Sequence, residues 1–147
     1  MKKLPPIEKV YEAWTALADN RVEIKDKEAF VKSSDGEKEY TVRWDGDIYA
    51  SDDNATYWQG YPGYPVIAVL MLQGKLPFNQ KEAELWRNIN WTELNKKYKN
   101  KYAEAVKEVE RERNIDSEKS SENAALVMKD LESLPIIIKR KVPSKKS

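Results

Sequence analysis

The chain has no histidine and no cysteine among its 147 residues. That removes disulfides, thiol nucleophiles, nearly every structural zinc site and the commonest general base together. An enzyme built on this sequence would have to work through carboxylates, lysine, serine or tyrosine. Long hydrophobic runs are missing too: the longest apolar stretch, residues 65–72, falls far short of the roughly 20 residues that cross a bilayer. The opening Met-Lys-Lys-Leu-Pro-Pro lacks the apolar core of a signal peptide, so the chain is expected to be cytoplasmic and free of membrane. The sequons at Asn54 and Asn90 then carry no sugar.

What is present is enough to fold. Hydrophobic residues make up 40% of the chain and aromatics 10%, too rich for a disordered polymer even with 35% charged residues. One domain is expected over 1–138, with a basic tail, 139–147, left disordered. Setting aside the five cations of that tail leaves 21 basic against 25 acidic residues, so the body is acidic although the chain is +1. Abundant lysine and glutamate lean toward a heat-adapted protein; the many asparagines pull the other way.

Apolar spacing places Ile7, Val10, Tyr11, Trp14, Leu17 and Ala18 on one face of an amphipathic helix over 6–18. From Arg21 the period falls to two, with Val22/Ile24, Ala29/Val31, Tyr40/Val42/Trp44 and Ile48/Ala50 alternating with polar neighbours. Asp35-Gly36 and Asp45-Gly46-Asp47 supply turns, which predicts a small antiparallel sheet of about four strands. Pro65 then opens a short apolar helix that Gly74 stops. Asn79 with Glu82 and Asn90 with Glu93 are cap pairs for helices over 80–89 and 91–113, and a further helix over 120–133 ends at Pro135 before a closing Ile136-Ile137-Ile138 strand. The fold class expected is α+β, with the helical part over 76–134.

Residues 21–75 carry the most specific pattern. Val31-Lys32-Ser33-Ser34-Asp35-Gly36 leads to Tyr40-Thr41-Val42, then Tyr49-Ala50-Ser51, a glycine-containing aromatic loop, and Tyr64-Pro65-Val66 opening the apolar helix. This resembles the SWIM zinc-finger family, where a strand precedes Cys-x-Cys and, after a loop, Cys-x-His opens a helix in a ββα unit. Tyr49, Ser51, Tyr64 and Val66 stand at the ligand positions, so the resemblance implies a metal-free finger held by packing, with no cofactor. SWIM modules are associated with DNA-handling and protein-binding proteins. That implies binding rather than catalysis.

Three further segments offer surfaces. Tyr57, Trp58 and Tyr61, in a loop stiffened by Pro62 and Gly63, combine large contact area with polar edges and suit a protein partner or a second copy of the chain; a loop folded onto its own core is the competing reading. Lys96, Lys97 and Lys101, interleaved with Tyr98 and Tyr102, together with Lys139, Arg140 and Lys141 of the tail, suit nucleic acid, against the reading of solvated lysines on a helix. Asp45, Asp47, Asp52 and Asp53 could serve a divalent cation or a carboxylate-based hydrolase, but aspartate is a standard turn residue and no cation-loop spacing is present. No phosphate-cradling glycine loop, dinucleotide fingerprint or nucleophile elbow occurs. The sequence thus favours a non-catalytic interaction module, with nucleic-acid binding as the alternative and hydrolysis third.

Overall fold

The computed structural model describes residues 3–143. The fold is α+β, in three layers. Helix α1, Glu8–Ala18, follows the two prolines and is buried on almost every side, because α2 (Tyr64–Leu72), α3 (Gln80–Leu85), α5 (Tyr102–Arg113) and α6 (Ser117–Ser133) all pack on it. Its apolar face supplies Val10, Tyr11, Ala13 and Trp14 to the core, but Lys9, Glu12 and Thr15 on its polar face are buried as well. The helix expected to be amphipathic is therefore the centre of the helical part.

Strands β1 (Val22–Lys25), β2 (Glu28–Lys32), β3 (Glu39–Asp45) and β4 (Ile48–Ser51) form the expected antiparallel meander. Ala29, Val31, Val42 and Tyr49 face inward and are fully buried against α2. Gly46 turns β3 into β4 with φ 58°, a left-handed conformation that favours glycine. The sheet is mixed rather than purely antiparallel: β5 (Ile137–Ile138) adds parallel to β4 in the order β1-β2-β3-β4-β5, pairing Ile48 with Ile137 and Tyr49 with Ile138. Helix α2, buried from Pro65 to Met71, is the middle layer between sheet and α1.

Three helix boundaries depart from expectation, one of them the start of α6, at Ser117 rather than 120. The 91–113 helix is broken in two, α4 (Trp91–Lys97) and α5, because Lys99 and Asn100 adopt left-handed φ of 51° and 63° and the Asn100 amide turns back to the Asn95 carbonyl at 2.7 Å. Helix α3 ends at Leu85, short of 89. Both cap pairs act as read: Asn79 Oδ1 accepts from the Glu82 amide and Asn90 Oδ1 from the Glu93 amide, each at 3.0 Å.

The helical core is tied together through polar groups. Glu82, buried, accepts from Trp86 Nε1 at 3.0 Å, Ser120 Oγ at 2.7 Å and Asn123 Nδ2 at 2.6 Å, joining α3 to α6. Thr15 Oγ1 donates to the Trp86 carbonyl at 2.6 Å and accepts from Trp91 Nε1 at 2.8 Å. Buried polar groups met in this way fix one packing arrangement, since each would be costly to leave alone. Among the described residues no helix is long and apolar enough to cross a membrane.

Candidate functional site

After β4 the chain enters a loop stapled from within by Asp53. Its buried carboxylate accepts from Ser51 Oγ and, at 3.1 Å, from the Thr56 amide, while Thr56 Oγ1 accepts from the Gly63 amide at 2.9 Å. A side chain at Gly63 would put its Cβ 2.2 Å from Asp53 Oδ2, so glycine is needed for the staple to close. Burial pushes the Asp53 carboxyl up. Asp53 is thus a structural group rather than a solvated turn residue. Asp52 accepts from the Thr41 amide at 2.8 Å, and Asp45 pairs with Lys27 at 3.7 Å. Among the described residues no three acidic groups gather where a metal ion could be held.

The staple forces residues 55–59 into a π-helical turn that projects Tyr57 and Trp58. Their rings meet edge to face at 4.8 Å, and Trp58 keeps 65% of its surface exposed. Onto them folds Arg140, whose guanidinium carbon lies 5.1 Å from each ring centre and whose Nε donates to the Tyr57 carbonyl at 3.2 Å. The tail expected to be free is therefore built into the fold at its start: the Lys139 amide donates to the Tyr49 carbonyl at 3.0 Å, extending the β4–β5 pairing and delivering Arg140 to the loop. Residues 144–147, with Lys145 and Lys146, lie outside the described residues. From the other side Lys3 Nζ donates to the Gln59 carbonyl at 2.6 Å and sits 5.6 Å from the Tyr61 ring. A hollow of about 300 Å³ adjoins, lined by Arg43, Ala50, Tyr57, Arg140, Lys141 and Val142 among others.

Two separate candidate sets thus form one surface: the aromatic loop and the tail cations, Lys139, Arg140 and Lys141. The other lysine set is not part of it. Lys97 is held by Glu108, which also accepts from the Tyr98 hydroxyl at 2.6 Å. Those two bonds hold the Glu108 carboxyl below its ordinary range. Lys96 is exposed on α4, and Lys101, in the break before α5, is exposed as well.

The four positions at which the SWIM resemblance places ligands take their contacts in different directions. Tyr49 reaches the C-terminal end of α2, where its hydroxyl donates to Gln73 Oε1 at 2.7 Å and accepts from Lys75 Nζ at 3.0 Å. Ser51 serves the Asp53 staple. Tyr64, the first residue of α2, packs edge to face on Tyr40 at 6.3 Å, and Val66 is fully buried.

Sequence comparison places this molecule beside others of its kind. The family model described as "Uncharacterised conserved protein UCP014422" matches residues 2–137, and the chain belongs to that family. No curated protein and no solved structure matches it.

Proposed function

We propose that this member of the UCP014422 family is a non-catalytic, cytoplasmic binding module whose contact surface is the Tyr57–Trp58–Arg140 patch and whose partner is single-stranded nucleic acid. The observation that carries the reading is the exposed indole of Trp58 beside a guanidinium already stacked on it. Flat side chains that stack on bases, bordered by cations that follow the phosphates, are what non-specific single-strand binders use. Lys3, Arg43, Lys139 and Lys141 stand around the rings as further cations, although Arg43 shares its charge with Glu28 at 3.4 Å. The SWIM-like run, associated with DNA-handling and with protein-binding proteins alike, suits either partner.

A protein partner or a second copy of the chain is the second reading. Tryptophan, tyrosine and arginine are the residues that dominate protein interfaces, and the adjoining hollow has the apolar lining of Ala50 and Val142. The acidic body, which repels phosphates at long range, favours it too.

Fluorescence anisotropy of labelled oligothymidylate and oligouridylate across a salt series tests the proposal. The expected result is binding whose logarithmic salt slope is about −0.7 for each phosphate contacted. Trp58→Ala should weaken it by the about 1–3 kcal/mol that one stacked base is worth. Absence of binding at low salt would sink the nucleic-acid reading. Self-association of the wild type in sedimentation, lost in Trp58→Ala, would put the second reading in its place.

A further inference from the structure

The loop that carries the patch also borders, through Asn54, Ala55 and Tyr64, a polar cleft of about 370 Å³. That is within the range of small-molecule sites, roughly 300–1,000 Å³. Its floor is the polar face of α1, where the buried Lys9 Nζ lies 3.3 Å from Glu12 Oε2 and 4.2 Å from the Tyr102 ring centre. Tyr40, Tyr64, Trp91 and Tyr102 supply ring walls. At the rim, Lys38 and Lys96 are exposed, and neither is in an ion pair among the described residues.

Two features of this cleft have no role in holding the fold together. The first is its charge. Among the residues that line it, Lys9, Arg21, Lys38 and Lys96 outnumber Glu12 and Asp53, and the Asp53 carboxylate is engaged by the loop staple, although Asp19 lies 3.8 Å from Arg21 Nε and Asp35 acts on Lys96 from outside the lining. The rim lysines without an ion pair, Lys38 and Lys96, suit the charge of about −1.5 to −2 on a phosphomonoester at neutral pH. The second is unmet hydrogen bonding. Arg21 spends Nη1 on the Lys32 carbonyl, but its Nε and Nη2 are shielded from solvent without a hydrogen bond, and the nearest carboxylate oxygen, on Asp19, is 3.8 Å from Nε. Asn95 Oδ1 is shielded and unpartnered as well. Buried polar atoms are seldom left without partners, and three in the lining of one cleft point to something that enters it.

We propose that this cleft binds a small phosphomonoester carrying a flat ring, a mononucleotide in size and charge. The phosphate is drawn to Lys38 and Lys96, with the Arg21 and Lys9 charges behind them in the wall. The ring lies among the tyrosines, whose faces accept any base by stacking. Asn95 turns its free oxygen to a hydroxyl or amino group of the ligand. The proposal is independent of the Trp58 patch, and different side chains break each.

Isothermal titration of the full chain with adenosine and uridine 5′-monophosphates, with the parent nucleosides and with inorganic phosphate, decides it. The monophosphates are expected to bind at least about tenfold tighter than either part alone, because charge-assisted bonds and ring contact add in one ligand. Lys38→Ala and Lys96→Ala, both exposed and so without effect on folding, should each weaken binding about tenfold. Arg21→Gln should weaken it further, and Trp58→Ala should leave it unchanged. No heat with millimolar monophosphate would overturn the proposal. So would affinities unaltered in both lysine variants, inorganic phosphate binding as tightly as the nucleotide, or binding lost in Trp58→Ala, which would place the nucleotide on the patch.

Discussion

Two aromatic clusters in this protein are built from the same residue types and meet opposite fates. Tyr11, Trp14, Trp86 and Trp91 interlock in the helical core, with Tyr11 edge-on to Trp86 at 4.7 Å and Trp86 stacked on Trp91 at 6.1 Å. Tyr57, Trp58 and Arg140 form a similarly dense group on the surface. What separates Trp86 and Trp91 from Trp58 is the supply of internal partners. The indole N–H of Trp86 reaches Glu82 and that of Trp91 reaches Thr15, so those rings can leave water at little polar cost. Trp58 is held by the staple and by Arg140 over its ring, with most of its surface still in water. Two of the three buried indoles have their polar edge met inside, the N–H of Trp14 being the exception; an exposed indole held in place by a built loop is read as a contact.

Substitution should separate the clusters sharply. Trp86→Ala removes a fully buried indole just past the C-terminal end of α3 and is expected to cost about 3–5 kcal/mol in chemical denaturation. Thr15→Val leaves the Trp91 N–H without its acceptor and should cost about 1–3 kcal/mol. If either change were neutral, the partner-supply explanation would fail.

The charged groups sharpen the same contrast through pH. Burial pushes the Glu12 carboxyl up, more than its ion pair with Lys9 pulls it down, whereas the half-buried Glu108 is held below the ordinary range by bonds from Lys97 and Tyr98. A carboxyl whose folded pKa is raised stabilises most at low pH, and that contribution is lost as pH rises through the folded value; a depressed one stabilises above the ordinary range and loses its effect as pH falls. Lys9 stays charged: burial lowers its pKa, but Glu12 and Tyr102 outweigh burial and raise it, so its contribution is lost only in the alkaline range above 10.5. Glu12→Gln, whose side chain stays neutral like the protonated carboxyl, should therefore leave Tm little changed at low pH. It should also flatten the decline of Tm as pH rises from 4.5. The smallest effect belongs to the surface: Trp58→Ala should change stability by no more than about 0.5 kcal/mol. A larger loss would make Trp58 part of the core and remove the patch as a binding surface.

Much of this was legible in the sequence where the signals are local. Alternation located four strands, and asparagine caps located the starts of α3 and α4. What escaped is set by distance in the chain or by who covers whom. Nothing near Tyr57 announces that Arg140, 83 residues on, will lie over it, because that contact depends on β5 joining β4 in parallel. The polar face of α1 has the spacing of a solvated surface; α4 and α5 roof it over, and Lys9, Glu12 and Arg21 then line a cleft that periodicity does not reveal. The break between α4 and α5 rests on left-handed Lys99 and Asn100, of which only asparagine is a residue that tolerates that conformation readily. Asp53 looks like any turn aspartate until Ser51, Thr56 and Gly63 are seen around it.

The most direct test of the patch as a single-strand platform is intrinsic tryptophan emission during titration with oligouridylate, in wild type and Trp58→Phe. Stacking of a base on the one highly exposed indole should quench emission with the same midpoint as the anisotropy rise, and Trp58→Phe should bind with the quench abolished. Binding with unchanged emission in the wild type would contradict the claim, because the nucleic acid would then lie away from Trp58.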